Sequence, residues 1–256
     1  MSEGSDHPSE HRNIALVTGA SSGIGEAAVR RLVARGYRVA AVARRADRLE
    51  ALAAESNGSV LAITADVTDE VQARGALTRT VAELGGLDVL INNAGIMLLG
   101  PFETSPREDW RRMLELNVLA LMTLAQEAIP HLRKAAAGPR GIADIINVGS
   151  VAGRTARPNF AAYNASKWAV TAFTEALRQE LAPDGIRVSV VQPGAVDTEL
   201  LSHVDAGFRE RLAAGPLGSV QRITADDVAD AIDYLVTLHP ATAINELVVR
   251  FARQPF

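Results

Sequence analysis

Short, almost wholly apolar runs recur along this chain, each separated from the next by a stretch of helical periodicity. The runs fall at 14–18, 38–43, 60–65, 89–92, 142–148, 187–192 and 246–250. Near-continuously apolar runs are the pattern of parallel strands covered on both faces. Strand–helix alternation kept up from end to end means βαβ units and a doubly wound parallel sheet with helices on both faces. Punctuation agrees with this. A helix over 23–35 stops at Gly36, another opens at Ser105-Pro106-Arg107-Glu108 as a capping box, and a third opens at Thr224 with Asp227 at its third position. Pro183-Asp184-Gly185 reads as a turn after an earlier helix. With no linker, repeat or composition break, the expectation is one seven-stranded α/β domain over residues 13–256 behind a disordered tail, 1–12.

Composition narrows the partners. At 256 residues with 48% hydrophobic content the chain can bury a substantial core, and a net charge of −4 offers no electrostatic footprint for nucleic acid or an anionic membrane. The absence of cysteine excludes disulfides, thiolate chemistry and Cys-ligated metals; His7 and His11 in the tail read as solvated, so no metal site is expected. The polar start lacks the apolar core of a signal peptide, and no apolar run approaches the length of a spanning helix. A cytoplasmic, non-membrane protein is expected.

In sheets of this kind ligands sit beyond the carboxyl ends of the strands. The first strand runs into Thr18-Gly19-Ala20-Ser21-Ser22-Gly23-Ile24-Gly25 and then a helix. This is a G-x-x-x-G-x-G variant of the dinucleotide fingerprint of Rossmann folds, in which glycines admit a pyrophosphate to a helix N-terminus. A structural turn needs glycine too. There is no G-K-[ST], which argues against an NTPase phosphate loop. At the end of the second strand, where an NAD-binding protein carries an acid for the ribose, the chain reads Ala43-Arg44-Arg45. Two guanidiniums suit a dianionic 2′-phosphate and hence NADP(H), with exposed helix-start charges as the alternative. Asp66-Val67 after the third strand is equally a helix cap, and Asn92-Asn93-Ala94-Gly95 equally a turn.

Tyr163-Asn164-Ala165-Ser166-Lys167 holds one of only two lysines, the other being Lys134, in a chain with 26 Lys+Arg. Tyr163 and Lys167 are i, i+4 on a helix face continued by Val170, Leu177 and Leu181, so both point inward. A bland account has Tyr in the core and Lys snorkelling. The chemical account has the ammonium, in a poorly solvated cleft and together with an oxidised nicotinamide's charge, favour the phenolate; lowering a phenol by about 3 pKa units takes roughly 4 kcal/mol.

Together TGASSGIG, NNAG, Ser150 thirteen residues before Tyr163, YNASK and Pro193-Gly194 resemble, in order across residues 14 to 250, the short-chain dehydrogenase/reductase family in its short single-domain branch. The resemblance implies an NADP(H)-dependent oxidoreductase acting on a ketone or aldehyde and its alcohol. It implies Tyr163 as general acid/base, Ser150 orienting the carbonyl, Lys167 tuning the tyrosine and holding the cofactor ribose, and Asn117 holding a proton-relay water; the alternative for that last amide is a helix-capping or core role. It also places Asp66 and Val67 at the adenine, Asn93 with Ala94 and Gly95 near the ribose, and Pro193, Gly194, Val196 and Thr198 near the nicotinamide. Arg44 is expected to select NADP(H) more than Arg45. Residues 245–250 are similar to members near clavulanate dehydrogenase and the 3-hydroxy-acid dehydrogenases, with Phe251-Ala252 where Pro-Thr is expected. The family pattern implies a homotetramer, one axis pairing helices near 106–134 and 161–182, with the C-terminal tail packing on a neighbour. A nucleotide sensor without chemistry would need the glycine loop but not the tyrosine. The residues 96–99 and 196–215, with Arg154 and Arg157, are the candidate substrate surface.

Overall fold

The computed structural model describes residues 12–214 and 221–254. Strands β1 (Ile14–Thr18), β2 (Arg38–Ala43), β3 (Val60–Thr64), β4 (Val89–Asn92), β5 (Ala143–Val148), β6 (Ile186–Pro193) and β7 (Glu246–Val249) fall on the expected runs, with ends moved by a residue at most. They pair in parallel as one sheet, order β3-β2-β1-β4-β5-β6-β7. The order reverses at β1, which pairs with both β2 and β4, and this switch point opens the crevice for a ligand.

Helices α1 (Gly23–Ala34), α2 (Ala46–Ala54) and α8 (Ala225–Thr237) cover one face; α3 (Glu70–Leu84), α5 (Ala120–Ala136) and α6 (Ala161–Leu181) cover the other. Successive strand residues feed opposite cores. Leu16, Leu90 and Ile145 pack with Leu77, Leu124 and Leu177, whereas Val17, Ile91 and Ile146 pack with Val29, Leu32 and Ile232. That is why the strands read as continuously apolar. Short helices α4 (Arg107–Leu114) and α7 (Ala206–Ala214) lie beyond the strand ends.

Most helix signals operate as their chemistry requires. Gly36 adopts φ 86°, its N–H donates to the Val33 carbonyl and that of Tyr37 to Leu32, a Schellman closure of α1. Thr224 and Asp227 form the reciprocal capping box of α8, and Gly185 takes the left-handed conformation after the 3-10 turn Ala182–Asp184. The box expected at Ser105 does not form. Pro106 is the cap residue of α4, and the Ser105 hydroxyl donates to the Pro101 carbonyl at 2.9 Å instead of accepting from the helix. A carbonyl four residues back in the preceding turn outcompetes the helix N–H groups for this hydroxyl. Between α4 and α5 the chain makes a π turn, Glu115–Leu119, centred on Asn117. The tail expected over residues 1–12 lies, except for Arg12, outside the described residues. Among the described residues no helix is long and apolar enough to cross a membrane.

Candidate active site

A cavity of about 940 Å³ lies along the carboxyl ends of the strands, running from Arg44, Arg45 and Asp66 past the glycine loop to Ser150, Tyr163 and Lys167. Its size suits a large ligand together with a small one. Of the residues named from the sequence, Gly19, Ser21, Ser22, Gly23, Ile24, Asp66, Val67, Asn93, Ala94, Gly95, Pro193, Gly194, Val196 and Thr198 also line it. Gly25 and Asn117 do not; each stands one layer behind the wall.

The β1–α1 loop is held by a clasp from the end of β4. The Thr18 hydroxyl accepts from the N–H groups of Asn93 and Ala94, both at 3.0 Å, and Asn93 Nδ2 donates to the Thr18 and Gly19 carbonyls at 2.9 and 3.3 Å. Asn92-Asn93-Ala94-Gly95 is therefore more than a turn: it sets the loop's shape. Gly19 sits at φ 65°, and a Cβ there would lie 2.9 Å from Ala94 Cα. At Gly25 a Cβ would meet the Gly19 carbonyl oxygen at 2.3 Å, so α1 packs directly on the loop backbone.

This half of the cavity fits a dinucleotide: a glycine-lined turn at a helix N-terminus, apolar walls from Ala65 and Val67, and two arginines beside Ala43. Arg44 is 71% exposed, its Nη1 3.8 Å from Asp66 Oδ2. Arg45 is committed: Nε donates to Ser21 Oγ at 3.0 Å, Nη2 to Ser22 Oγ at 2.6 Å and Nη1 to Glu199 Oε2 at 2.7 Å. Asp66 does not cap α3; Asp69 does, accepting from the N–H groups of Val71 and Gln72. Partial burial pushes the Asp66 carboxyl up, but the Thr68 N–H and hydroxyl and the Arg44 charge outweigh it and leave it below the ordinary carboxylate value.

At the other end, α6 presents Tyr163 and Lys167 to the cavity, 4% and 6% exposed. Their inward face continues through Val170, Leu177 and Leu181, all buried. Ser150 ends β5's extension and caps the 3-10 turn Val151–Gly153, its Oγ accepting from Ala152 N–H at 3.1 Å. Lys167 Nζ donates to the Val148 carbonyl at 3.0 Å and lies 6.0 Å from the Tyr163 ring centre. Burial pushes the phenol up to about 12, against a smaller pull from the Ser150 hydroxyl, and burial pushes the lysine down to about 8. The expectation that Lys167 lowers the phenol is thus not met by these side chains alone. Desolvation dominates both groups, and the ammonium's hydrogen bond goes to a carbonyl instead of the phenol.

The π turn aims Asn117 inward, where its Oδ1 accepts from Ile96 N–H at 2.8 Å and its Nδ2 donates to the Ile96 carbonyl and to Ser166 Oγ. This amide fastens the strand-end segment of Ile96 to α6. A Cβ on Gly95 would lie 3.2 Å from Asn117 Oδ1 and 3.7 Å from Lys167 Nζ, so glycine leaves room for both side chains.

Beyond Tyr163 the wall carries an apolar cluster among charged lining residues that include Arg111, Arg112 and Glu115. Ile96, Met97, Leu99, Met113 and Tyr163 cluster with Val204 and Phe208 from the segment after β6. Arg157 faces the cavity, whereas Arg154 pairs with Glu246 away from it. Sequence reasoning missed Glu199 and its second partner Arg48 (Nη1 to Oε1 2.8 Å), because a pair 151 residues apart leaves no local pattern.

Comparison with known proteins agrees with this geometry. The sequence model of the short chain dehydrogenase family matches residues 13–207. A serine 3-dehydrogenase of Rhizobium radiobacter is 33% identical over 242 residues, 94% of this chain and 94% of the relative. Among solved structures, a 3-ketoacyl-(acyl-carrier-protein) reductase from Brucella melitensis complexed with NADH has a TM-score of 0.82 at 34% identity, covering 94% of this chain and 98% of that one. The closed form of a serine dehydrogenase complexed with NADP+ has a TM-score of 0.83 at 31% identity, covering 92% and 94%.

Proposed function

This chain belongs to the short-chain dehydrogenase/reductase family, and from that premise we propose that it is an NADP(H)-dependent oxidoreductase interconverting a ketone or aldehyde with its alcohol. The observation that carries the reading is the buried Tyr163–Lys167 pair with Ser150 in the cavity that Arg44 and Arg45 close at its far end. When bound, the nicotinamide supplies or accepts the hydride. Ser150 donates a hydrogen bond to the substrate oxygen and so orients it. Tyr163 gives that oxygen its proton in reduction and takes it back in oxidation. Lys167, buried near the phenol, is the positive charge that makes the phenolate less costly, and Asn117 holds the Gly95–Ile96 segment against α6 behind them.

Relatives bind either cofactor, so the choice rests on this chain's own residues. Ala43 offers no carboxylate to repel a 2′-phosphate, and Arg44 projects an exposed guanidinium beside it. Wild-type kcat/KM is expected to be higher with NADPH than with NADH. Arg44→Asp with Arg45→Ala should reverse the preference by repelling the phosphate. NADH consumption exceeding NADPH consumption by the unmodified protein, across a panel of ketones, would sink the cofactor reading.

From the family's pattern we propose further that the protein is a homotetramer. Leu119, Met122 and Trp168 are exposed on the helices expected to pair across one axis, apolar surface that a second copy would cover. Phe251 packs against its own subunit's core, and Phe256 lies outside the described residues. Light scattering at micromolar concentration is expected to give four times the subunit mass; a monomer mass would end this claim.

A further inference from the structure

Glu199 sits at the junction of two functions. It opens the 3-10 turn Glu199–His203 after β6, and the residues that follow it, Leu200, Leu201, Val204 and Phe208, pack over Tyr163, Ile96 and Met97. Its carboxylate, however, points the other way. It spans the start of α2, Oε2 accepting from Arg45 and Oε1 from Arg48 at 2.7 and 2.8 Å. Arg45 is thereby divided among Ser21, Ser22 and Glu199, one nitrogen to each. Next to it, Thr198 abuts the glycine loop, where a Cβ on Gly23 would come within 3.1 Å of Thr198 Cγ2. The carboxylate thus occupies one of the directions from which an anion would approach Arg45, whereas Arg44 faces Asp66 instead.

We propose that Glu199 is a cofactor-selectivity residue, its carboxylate competing with the cofactor's 2′-phosphate for Arg45 and so tying the segment over the substrate pocket to the phosphate-recognition corner. The inference rests on the NADP(H) reading above. A partly exposed ion pair of this kind (side chains 40% and 46% exposed) is weak enough to exchange. A phosphate dianion offers Arg45 more charge and more acceptors than one carboxylate. Arg48 remains as a second anchor, so the segment keeps a tether when Arg45 turns to the phosphate. With Arg45 held by Glu199, Arg44 provides most of the discrimination, which accounts for the expected inequality between them.

The test is cofactor binding by fluorescence titration on the full chain, with NADPH and NADH in parallel. Glu199→Gln is expected to tighten NADPH about three- to ten-fold at low salt, with NADH moving less than about two-fold and the gain shrinking as salt is added. The gain should vanish in an Arg45→Ala background. Arg48→Met is the structural control: it weakens the tether but leaves the charge of Glu199 on Arg45, so NADPH should bind no more tightly. If Glu199→Gln and Arg48→Met act alike, or if Glu199→Gln shifts both cofactors equally or neither, Glu199 is a brace and the proposal falls. Wild-type preference for NADH would instead overturn the cofactor reading itself, and that is seen before any variant is made.

Discussion

Tyr163→Phe is expected to lower kcat/KM for carbonyl reduction by about 100- to 10,000-fold, the usual loss when a positioned acid/base group is removed. The ring stays in its cluster with Ile96, Met97 and Met113, so the fold and the apolar wall of the pocket are retained. NADPH affinity should stay within a few-fold, because the glycine loop and the arginines are untouched. Rates from NADPH absorbance and affinity from fluorescence titration separate the two effects. The phenol also has a desolvation cost to overcome, since burial, against the smaller pull of the Ser150 hydroxyl, holds it at about 12. A bound oxidised nicotinamide would add a positive charge to that of Lys167, both favouring the phenolate. Near-wild-type turnover in the variant would remove Tyr163 from the reaction.

Gly25→Ala should cost both stability and cofactor binding, although Gly25 does not line the cavity. The new Cβ would stand 2.3 Å from the Gly19 carbonyl oxygen and 2.5 Å from Asn93 Nδ2. Neither can give way cheaply: one is backbone, the other clasps the Thr18 and Gly19 carbonyls. The N-terminus of α1 must therefore lift off the loop, at an overpacking cost of about 1–3 kcal/mol. We expect a lower thermal midpoint and at least a ten-fold loss in NADPH affinity, about 1.4 kcal/mol or more. A variant with wild-type midpoint and affinity would show that the loop can absorb a methyl group, and that Gly25 is not what fits α1 to the nucleotide.

What was legible in the sequence was what neighbours along the chain decide. All seven strands fell on their apolar runs: the five inner strands are buried on both faces, and the edge strands β3 and β7, though partly exposed, keep mostly apolar sequences. Gly36 and the Thr224–Asp227 box were legible for the same reason, each being a bargain struck within one turn. Ser105 shows the limit of such rules. Its hydroxyl could accept from a helix N–H or donate to the Pro101 carbonyl of the preceding turn, and the carbonyl prevailed. The π turn at Glu115–Leu119 carried no readable signal, since one added residue shifts the phase of the apolar stripe and a run as apolar as 113–125 does not show the shift.

For the site, residue types and spacings along the chain were enough to name the glycine loop, the arginines after β2 and the Tyr163–Lys167 face. They could not give the protonation energetics. That Lys167 is itself depressed to about 8 follows from its desolvation, and that its hydrogen bond goes to the Val148 carbonyl follows from where the end of β5 meets α6. Nor could they give the Asn93 clasp, the Asn117–Ser166 fastening or the Glu199 bridge to Arg45 and Arg48, each of which joins segments far apart in the chain. Periodicity and most capping are set by interactions within a few residues, which is why they can be read along the chain. Burial, pairing and charge balance are set by which distant groups the sheet brings together, and only the tertiary structure decides those.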